Sequence, residues 1–242
     1  MVDWDVFMKV HSGMARQGPG DDASTERAYR MIDAGDAPLI ADIGCGPGMQ
    51  TRKLASMGAD VFALDFFTQY LQELRAEDPS IPLIQGDMNS PPLKTGLFDI
   101  VWSEGAIYIM GFKHALRQWG RYLKEGGYIA VTEVTWLSDD TPCELREFWE
   151  SGYPAITDIE GNLKTLREAG YEPLGHFPLP EKSWYEDYYD IIRPKAEAMM
   201  EEYSGDDDAT KTLQAELDEI TLFEKYSDFY GYVFYIMRKD SA

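Results

Sequence analysis

The 242-residue sequence has few basic residues and few histidines for its size. Lysine and arginine together number 22 against 43 aspartates and glutamates, so the formal net charge is −21, and there are 3 histidines. A nucleic-acid partner needs a basic surface that replaces phosphate counterions, and an anionic membrane surface would also repel this chain. The composition therefore argues against nucleic acid and membranes as partners and favours a small ligand that is neutral or cationic.

Cysteine is scarce as well, and long apolar runs are missing. Cys45 and Cys143 are too few for a disulfide framework, and no residues show metal-ligand spacing, so we predict no metal. No apolar run approaches the ~20 residues that a membrane span needs. The acids near the start of "MVDWDVFMKVHSG" are unlike a signal peptide. We expect a cytoplasmic protein with a single domain over residues 1–242.

Short apolar runs alternate with helical patterns from about residue 37 onward. This alternation is typical of βαβ units around a parallel sheet. One helical pattern carries an apolar stripe from Phe112 to Leu123, and the pair Gly126 and Gly127 is expected to end that helix. The sequence therefore predicts an α/β fold.

Two stretches lie outside this alternation. Residues 1–37 form an N-terminal segment with a glycine- and proline-containing bend, "RQGPGDDAST". Residues 180–228 form an insert before the last strand, which is expected to contain two helices with a break at Gly205. We expect both stretches to decorate one sheet domain.

The segment "IADIGCGPGMQT", residues 40–51, joins a buried strand to a helix through a glycine-rich turn. Gly44, Gly46 and Gly48 stand at every second position. Such a turn directs backbone N–H groups and a helix N-terminus at a ligand beyond the carboxyl ends of the strands. The dinucleotide fingerprint G-x-G-x-x-G does not fit, because counting from either Gly44 or Gly46 puts a residue other than glycine at its third position. A nicotinamide-dependent oxidoreductase is therefore disfavoured.

Acids stand at the ends of the first three predicted strands. Asp42 would repel a pyrophosphate but could accept a hydrogen bond from an ammonium group. Asp65 can accept both hydroxyl protons of a ribose, and Phe66 beside it offers an apolar face for a purine. Asp87 could accept the amino group of adenine, with Met88 packed on the ring. Together these residues predict a ligand that carries both an amino acid and a nucleoside.

These motifs allow a family resemblance to be stated. The chain resembles the class I S-adenosylmethionine-dependent methyltransferases in the segments "IADIGCGPG", "ALD", "QGDM", "FDIVWSEGAIY" and "YLKEGGYIAV". The words "SEGAIY" and "YGYVFYI" are similar to small-molecule enzymes of the ubiquinone/menaquinone-biosynthesis type. The resemblance implies a Rossmann-like, mostly parallel sheet of seven strands with an antiparallel last strand, and helices on both faces. It also implies S-adenosyl-L-methionine as cofactor and S-adenosyl-L-homocysteine as product.

The resemblance further implies roles for residues after the fourth strand. Ser103 and Glu104 are expected to lie against the methionine part of the cofactor. Glu104 is a candidate general base or acceptor anchor, or alternatively a carboxylate that shapes the turn. Tyr108 could orient the acceptor, or could be a packing tyrosine. His11 could serve as a base if the N-terminal segment closes over the cofactor, or could be a surface histidine.

The insert is rich in aromatic residues, which could form the wall of an acceptor pocket or only the buried side of a cap helix. They are Trp184, Tyr185, Tyr188, Tyr189 and Tyr203. We predict methyl transfer to a small molecule by in-line displacement, with residues 1–37 and 180–228 capping the acceptor site. The alternative is a non-catalytic S-adenosylmethionine-binding sensor or partner subunit. The sequence leaves open the acceptor, its reacting atom and the oligomeric state, a homodimer included.

Overall fold

The computed structural model describes residues 2–240, whose strands form one eight-stranded sheet. In chain order the strands are β1 (Leu39–Ile43), β2 (Asp60–Asp65), β3 (Leu83–Gln85), β4 (Phe98–Ser103), β5 (Leu123–Trp136), β6 (Thr157–Asp158), β7 (Tyr171–Pro178) and β8 (Tyr230–Lys239). The main order is β3-β2-β1-β4-β5-β8-β7, and the two-residue β6 pairs with β5. Strand β8 is antiparallel to both β5 and β7, and the other pairings are parallel. The predicted seven-stranded sheet with an antiparallel last strand is confirmed, with β6 as an addition.

Helices cover both faces of this sheet. They are α1 (Trp4–Val10), α2 (Asp22–Tyr29), α3 (Met49–Ser56), α4 (Thr68–Glu77), α5 (Phe112–Trp119), α6 (Cys143–Gly152), α7 (Ile159–Glu168), α8 (Lys182–Trp184), α9 (Asp190–Glu202) and α10 (Asp207–Tyr226). A 3₁₀ turn spans Ile107–Ile109, and a π-helix spans Tyr185–Tyr189 between α8 and α9. Between residues 2 and 240, no helix is both long enough and apolar enough to cross a membrane.

The central strands are buried on both faces because neighbouring side chains point to opposite sides. Ile40 and Ile100 belong to the apolar cluster that packs under α2, α3, α9 and α10. Their neighbours Ala41 and Val101 belong to the cluster under α5 and α7. The near-continuous apolar character of these strands therefore reflects two separate cores.

The boundary between α5 and β5 differs from the sequence prediction. Helix α5 ends at Trp119, and Leu123 already lies in β5, which continues through the glycine pair. The Tyr171 hydroxyl, from β7, donates a 2.8 Å hydrogen bond to the Leu116 carbonyl at the end of the helix. A side chain at Gly120 would collide with this hydroxyl. The helix therefore stops where a distant residue satisfies its last carbonyls, which the local apolar stripe could not reveal.

The N-terminal segment and the insert pack against each other. Helix α1 contacts α9 and α10. The Asp3 N–H donates to Thr212 Oγ1 at 2.9 Å, and Lys195 Nζ donates to the Ser12 carbonyl at 2.6 Å. Two stretches far apart in sequence thus form one layer of structure beyond the β8 side of the sheet.

Candidate active site

A cavity of about 660 Å³ opens at the carboxyl ends of β1, β2, β3 and β4. This is where the strand order reverses between β1 and β4, the position at which open α/β sheets bind ligands. Its wall combines the glycine turn, the ends of β2 and β3, the residues after β4 and part of the N-terminal segment. The cavity is large enough for a drug-sized ligand.

The three glycines of the turn adopt left-handed backbone conformations for two different reasons. Their φ angles are 75° at Gly44, 53° at Gly46 and 86° at Gly48. A Cβ at Gly44 would lie 2.7 Å from the Ala106 Cβ, and one at Gly48 would lie 2.5 Å from the Leu74 side chain. These two glycines therefore make room for the protein's own packing. Only Gly46 presents a surface with ordinary clearance, and it lines the cavity together with Gly44.

Asp65 joins the end of β2 to the glycine turn and lines the cavity. Its Oδ2 accepts the Gly46 N–H and its Oδ1 accepts the Phe67 N–H, both at 2.9 Å. Burial raises the pKa of this carboxyl. Each oxygen keeps a further lone pair, so the carboxyl can still accept two hydroxyl groups from a ligand. Phe66, 64% exposed, lies beside it on the cavity wall.

Asp87 and Met88 lie on the same wall after β3. Asp87 Oδ1 accepts hydrogen bonds from the backbone and side-chain N–H groups of Asn89, and the backbone bond is the main cause that lowers its pKa. The Met88 carbonyl accepts the Trp119 indole N–H at 3.0 Å. The structure thus brings Asp65, Phe66, Asp87 and Met88 to one cavity, as the strand-end argument predicts.

Asp42, Gly48 and Ser103 lie behind the cavity wall and do not line it. Asp42 is fully buried, accepts a 2.5 Å bond from the Thr51 hydroxyl, and leaves Oδ1 without a partner. Burial raises its pKa to about 7. Ser103 donates to the Ile43 carbonyl at 2.8 Å. These side chains hold the turn and the strand ends in place, and their direct contact with a ligand stays a prediction.

Glu104 lines the cavity but is already held by three donors. Oε1 accepts the Trp102 indole N–H at 2.9 Å and the Thr25 hydroxyl at 2.8 Å. Oε2 pairs with Arg16 at 3.0 Å, and both side chains are at most 4% exposed. This geometry suits an anchor for the N-terminal segment, since a general base needs a lone pair free to reach the reacting atom.

His11 is buried, so the alternative of a surface histidine is wrong. It is 1% exposed at the end of α1, with Nδ1 2.9 Å from the Phe7 carbonyl. Its Nε2 lies 3.7 Å from Glu216 Oε2, beyond hydrogen-bond distance. Burial lowers the pKa of the imidazole. The ring does not reach the cavity, and its role as a base stays a prediction.

Tyr108 stands at the rim of the cavity, where it is 40% exposed. Its ring makes an edge contact with Tyr153 at 6.2 Å between centroids. Burial of the hydroxyl end, and then the charges of Glu219, Glu216 and Glu133, raise its pKa to about 12. The ring therefore borders the open space while its hydroxyl meets a group of acids.

The aromatic residues of the insert serve both purposes that the sequence left open. Trp184 stacks on Phe223 at 4.1 Å and belongs to the core. Tyr188 is buried, and its ring centroid lies 6.1 Å from that of His11. Tyr203 accepts a hydrogen bond from Lys9 on α1.

Several cavity residues were not found from sequence. Arg16 and Gln17 come from the bend "RQGPG", which composition marks only as a turn. Gln17 accepts a 2.8 Å bond from the Tyr70 hydroxyl, and Arg16 keeps its buried Nε without a partner. Tyr153 follows α6. No local signal could place them, because each reaches the site through a contact distant in sequence.

Comparison with known proteins agrees with this architecture. Residues 41–131, less than half of the chain, match the family model described as "Methyltransferase domain". A malonyl-[acyl-carrier protein] O-methyltransferase of Enterobacter lignolyticus is 33% identical over 59% of this chain and 59% of its own length. A demethylmenaquinone methyltransferase of Corynebacterium urealyticum is 31% identical over 55% of this chain and 58% of its own length. The chain therefore spans less than two thirds of either relative.

A solved structure matches nearly the whole chain. It is a SAM-dependent methyltransferase from Thiobacillus denitrificans in complex with S-adenosyl-L-homocysteine, at a TM-score of 0.82 with 14% identity, covering 99% of this chain and 100% of that one. At this identity the match establishes the fold. The sheet order, the glycine turn and the matched segment place the chain among the class I S-adenosylmethionine-dependent methyltransferases, as the sequence motifs predicted.

Proposed function

We propose that this protein transfers a methyl group from S-adenosylmethionine to a small molecule by in-line displacement. The observation that carries the proposal is the single cavity shared by the glycine turn and the two strand-end acids Asp65 and Asp87. A ribose needs a pair of acceptors and an adenine amino group needs one, and these acids supply both sets at neighbouring strands.

The residues present fit the cofactor along its length. The free lone pairs of Asp65 suit the ribose hydroxyls, and the exposed ring of Phe66 suits the adenine face. Arg16 adds a group that sequence reasoning missed. Its Nε–H is buried, unpartnered and next to the cavity, so it is suited to the carboxylate of the methionine moiety.

The cofactor supplies an activated methyl group on its sulfonium, so the chain has to provide position and exclusion of water. The segment containing Gln17 lies over Gly46 and limits access to the glycine turn. Holding the acceptor in line at near-attack distance can supply roughly 7–11 kcal/mol of the barrier reduction. Tyr108, at the rim, is the residue nearest to this task among those predicted.

The relatives raise a different acceptor, a malonyl group on a carrier protein. A malonyl carboxylate would meet a chain with a formal net charge of −21 and a site bordered by buried acids. Like charges oppose such an encounter. We therefore favour a neutral or cationic small acceptor over this second candidate.

Two measurements test the proposal. Calorimetric titration with S-adenosylhomocysteine should show binding below millimolar concentration, and its absence would count against the cofactor assignment. Incubation with cofactor labelled in the methyl group and a metabolite extract should give a labelled product whose mass identifies the acceptor. Binding without any labelled product would instead support the sensor alternative.

A further inference from the structure

A second group of polar residues lies directly behind the rim of the cavity. We call it the acid–tyrosine cluster, and it consists of Glu133, Glu216, Glu219, Tyr108, Tyr153, Tyr188 and Tyr232. Two of these, Tyr108 and Tyr153, also line the cavity. The members come from β5, α10, β8, the π-helix and the segments after β4 and α6. The proposed mechanism so far uses only Tyr108.

Electrostatic interactions show that the members face one another. Burial and then Glu219 and Glu216 raise the pKa of Tyr188. Burial, then Tyr108 and the two acids Glu219 and Glu133 raise the pKa of Tyr232. The acids of α10 and the acid of β5 therefore act on the same tyrosine.

The carboxyl groups of the cluster are short of donors. Glu133 is 1% exposed, and its Oε2 has no hydrogen-bond partner. The buried Tyr153 hydroxyl also lacks a partner, although it lies close enough to lower the pKa of Glu133, which burial raises to about 8. Glu219 accepts the Tyr189 hydroxyl at 2.9 Å, whereas the nearest donor to Glu216 is His11 Nε2 at 3.7 Å.

No cation of the protein balances these acids. Within residues 2–240, no lysine or arginine forms an ion pair with Glu133, Glu216 or Glu219. Lys195 is near His11 but donates to the carbonyls of Val10 and Ser12. In the same residues, no group of three His, Cys, Asp or Glu side chains is arranged to hold a metal ion.

Burying carboxyl groups without partners costs stability, so their presence beside a cavity indicates a ligand that completes them. The complement of carboxylates surrounded by tyrosine rings is an organic cation, which gains from charge pairing and from the π faces. A free carboxylate or phosphate would be repelled.

We propose that the methyl acceptor is a small amine, bound as an ammonium group between Glu133, Glu216 and the rings of Tyr108, Tyr188 and Tyr232. This inference rests on the proposed function and names its substrate class. The amine reacts after its ammonium form gives one proton to a cluster carboxylate. The nitrogen lone pair then forms the N–C bond as the C–S bond breaks, sulfur keeps the electron pair, and the positive charge passes from sulfur to nitrogen.

The first test compares a cation with its neutral isostere on the protein loaded with S-adenosylhomocysteine. The probes are choline and 3,3-dimethyl-1-butanol, which differ by nitrogen against carbon, measured by calorimetric titration. We expect choline to bind at least tenfold more tightly. Equal affinity, or tighter binding of the alcohol, would overturn the inference while the S-adenosylhomocysteine titration still reports on the proposed function.

The second test uses variants that remove charge and keep shape. The double variant Glu133→Gln and Glu216→Gln should lose at least tenfold in choline affinity and keep its affinity for S-adenosylhomocysteine. Glu224→Gln is the matched control, because Glu224 is an exposed acid on the same α10 that pairs with Arg193. Unchanged choline affinity in the double variant overturns the assignment, as does a labelled extract product without an amine nitrogen.

Discussion

At the residue scale, Asp65 connects the glycine turn to the cofactor cavity through two backbone hydrogen bonds. Asp65→Asn keeps the volume but turns one acceptor into a donor that faces either a backbone N–H or a ribose hydroxyl. We expect the Kd for S-adenosylhomocysteine, measured by calorimetry, to rise at least tenfold, or about 1.4 kcal/mol. Asp60→Asn, at the exposed start of the same strand, is the control. Equal affinities in the two variants would contradict the ribose assignment.

Strand-end acids could be recognised from sequence because a parallel sheet brings its carboxyl ends to one edge. Depth could not be read in the same way. Asp42 and Asp65 both belong to strand ends, yet Asp42 is bonded to Thr51 behind the wall and Asp65 faces the cavity. Sequence position gives the strand and the side of the sheet, whereas the direction of a carboxyl depends on which donor reaches it first. For Asp42 that donor comes from α3.

At the element scale, the N-terminal segment is held over the sheet by one buried ion pair, Arg16 with Glu104. Arg16→Met would leave Glu104 buried without its cation, so we expect the free energy of unfolding to fall by about 3–5 kcal/mol. Adding Glu104→Gln should recover part of this loss. Urea denaturation without ligand measures both effects.

The control for this ion pair is Arg30→Met. Arg30 makes an exposed pair with Glu26 one helical turn away, so its loss should change stability by less than about 0.5 kcal/mol. If Arg16→Met is as mild as Arg30→Met, the anchor role of Glu104 is wrong. A general-base role would then regain weight.

Elements defined by local patterns were predictable, and elements defined by distant contacts were not. The apolar stripe from Phe112 located α5, but its end depends on the Tyr171 hydroxyl from another strand. The role of the bend that contains Arg16 depends on a partner 88 residues away. Such long-range contacts leave no periodicity in the sequence.

At the scale of the whole molecule, buried acids make stability depend on pH. Burial raises the pKa of Asp42 to about 7 and those of Glu133 and Glu216 to about 8. In the unfolded chain such groups titrate near pH 4. Between about pH 4 and pH 8 the folded state therefore binds more protons than the unfolded state, and stability falls as the pH rises.

His11 acts in the opposite direction, because its pKa is lowered by burial and the unfolded chain binds its proton first. Three acids outweigh one histidine, so we expect the Tm of the ligand-free protein to be several degrees lower at pH 8.5 than at pH 5. Scanning calorimetry should show a flatter profile for the double variant Glu133→Gln and Glu216→Gln, and an unaltered one for Glu224→Gln. A Tm that rises across this range would falsify the assignment of these acids as buried and unpaired.

Helix α1 borders both compartments of the proposed reaction. Trp4 and Phe7 lie on the cavity wall, while His11 at its end stands next to Glu216 of the acid–tyrosine cluster. A ligand on either side that restrains α1 would lower the ordering cost that remains for the other ligand. Donor and acceptor would then reinforce each other's affinity, and thermodynamic reciprocity makes the two enhancements equal.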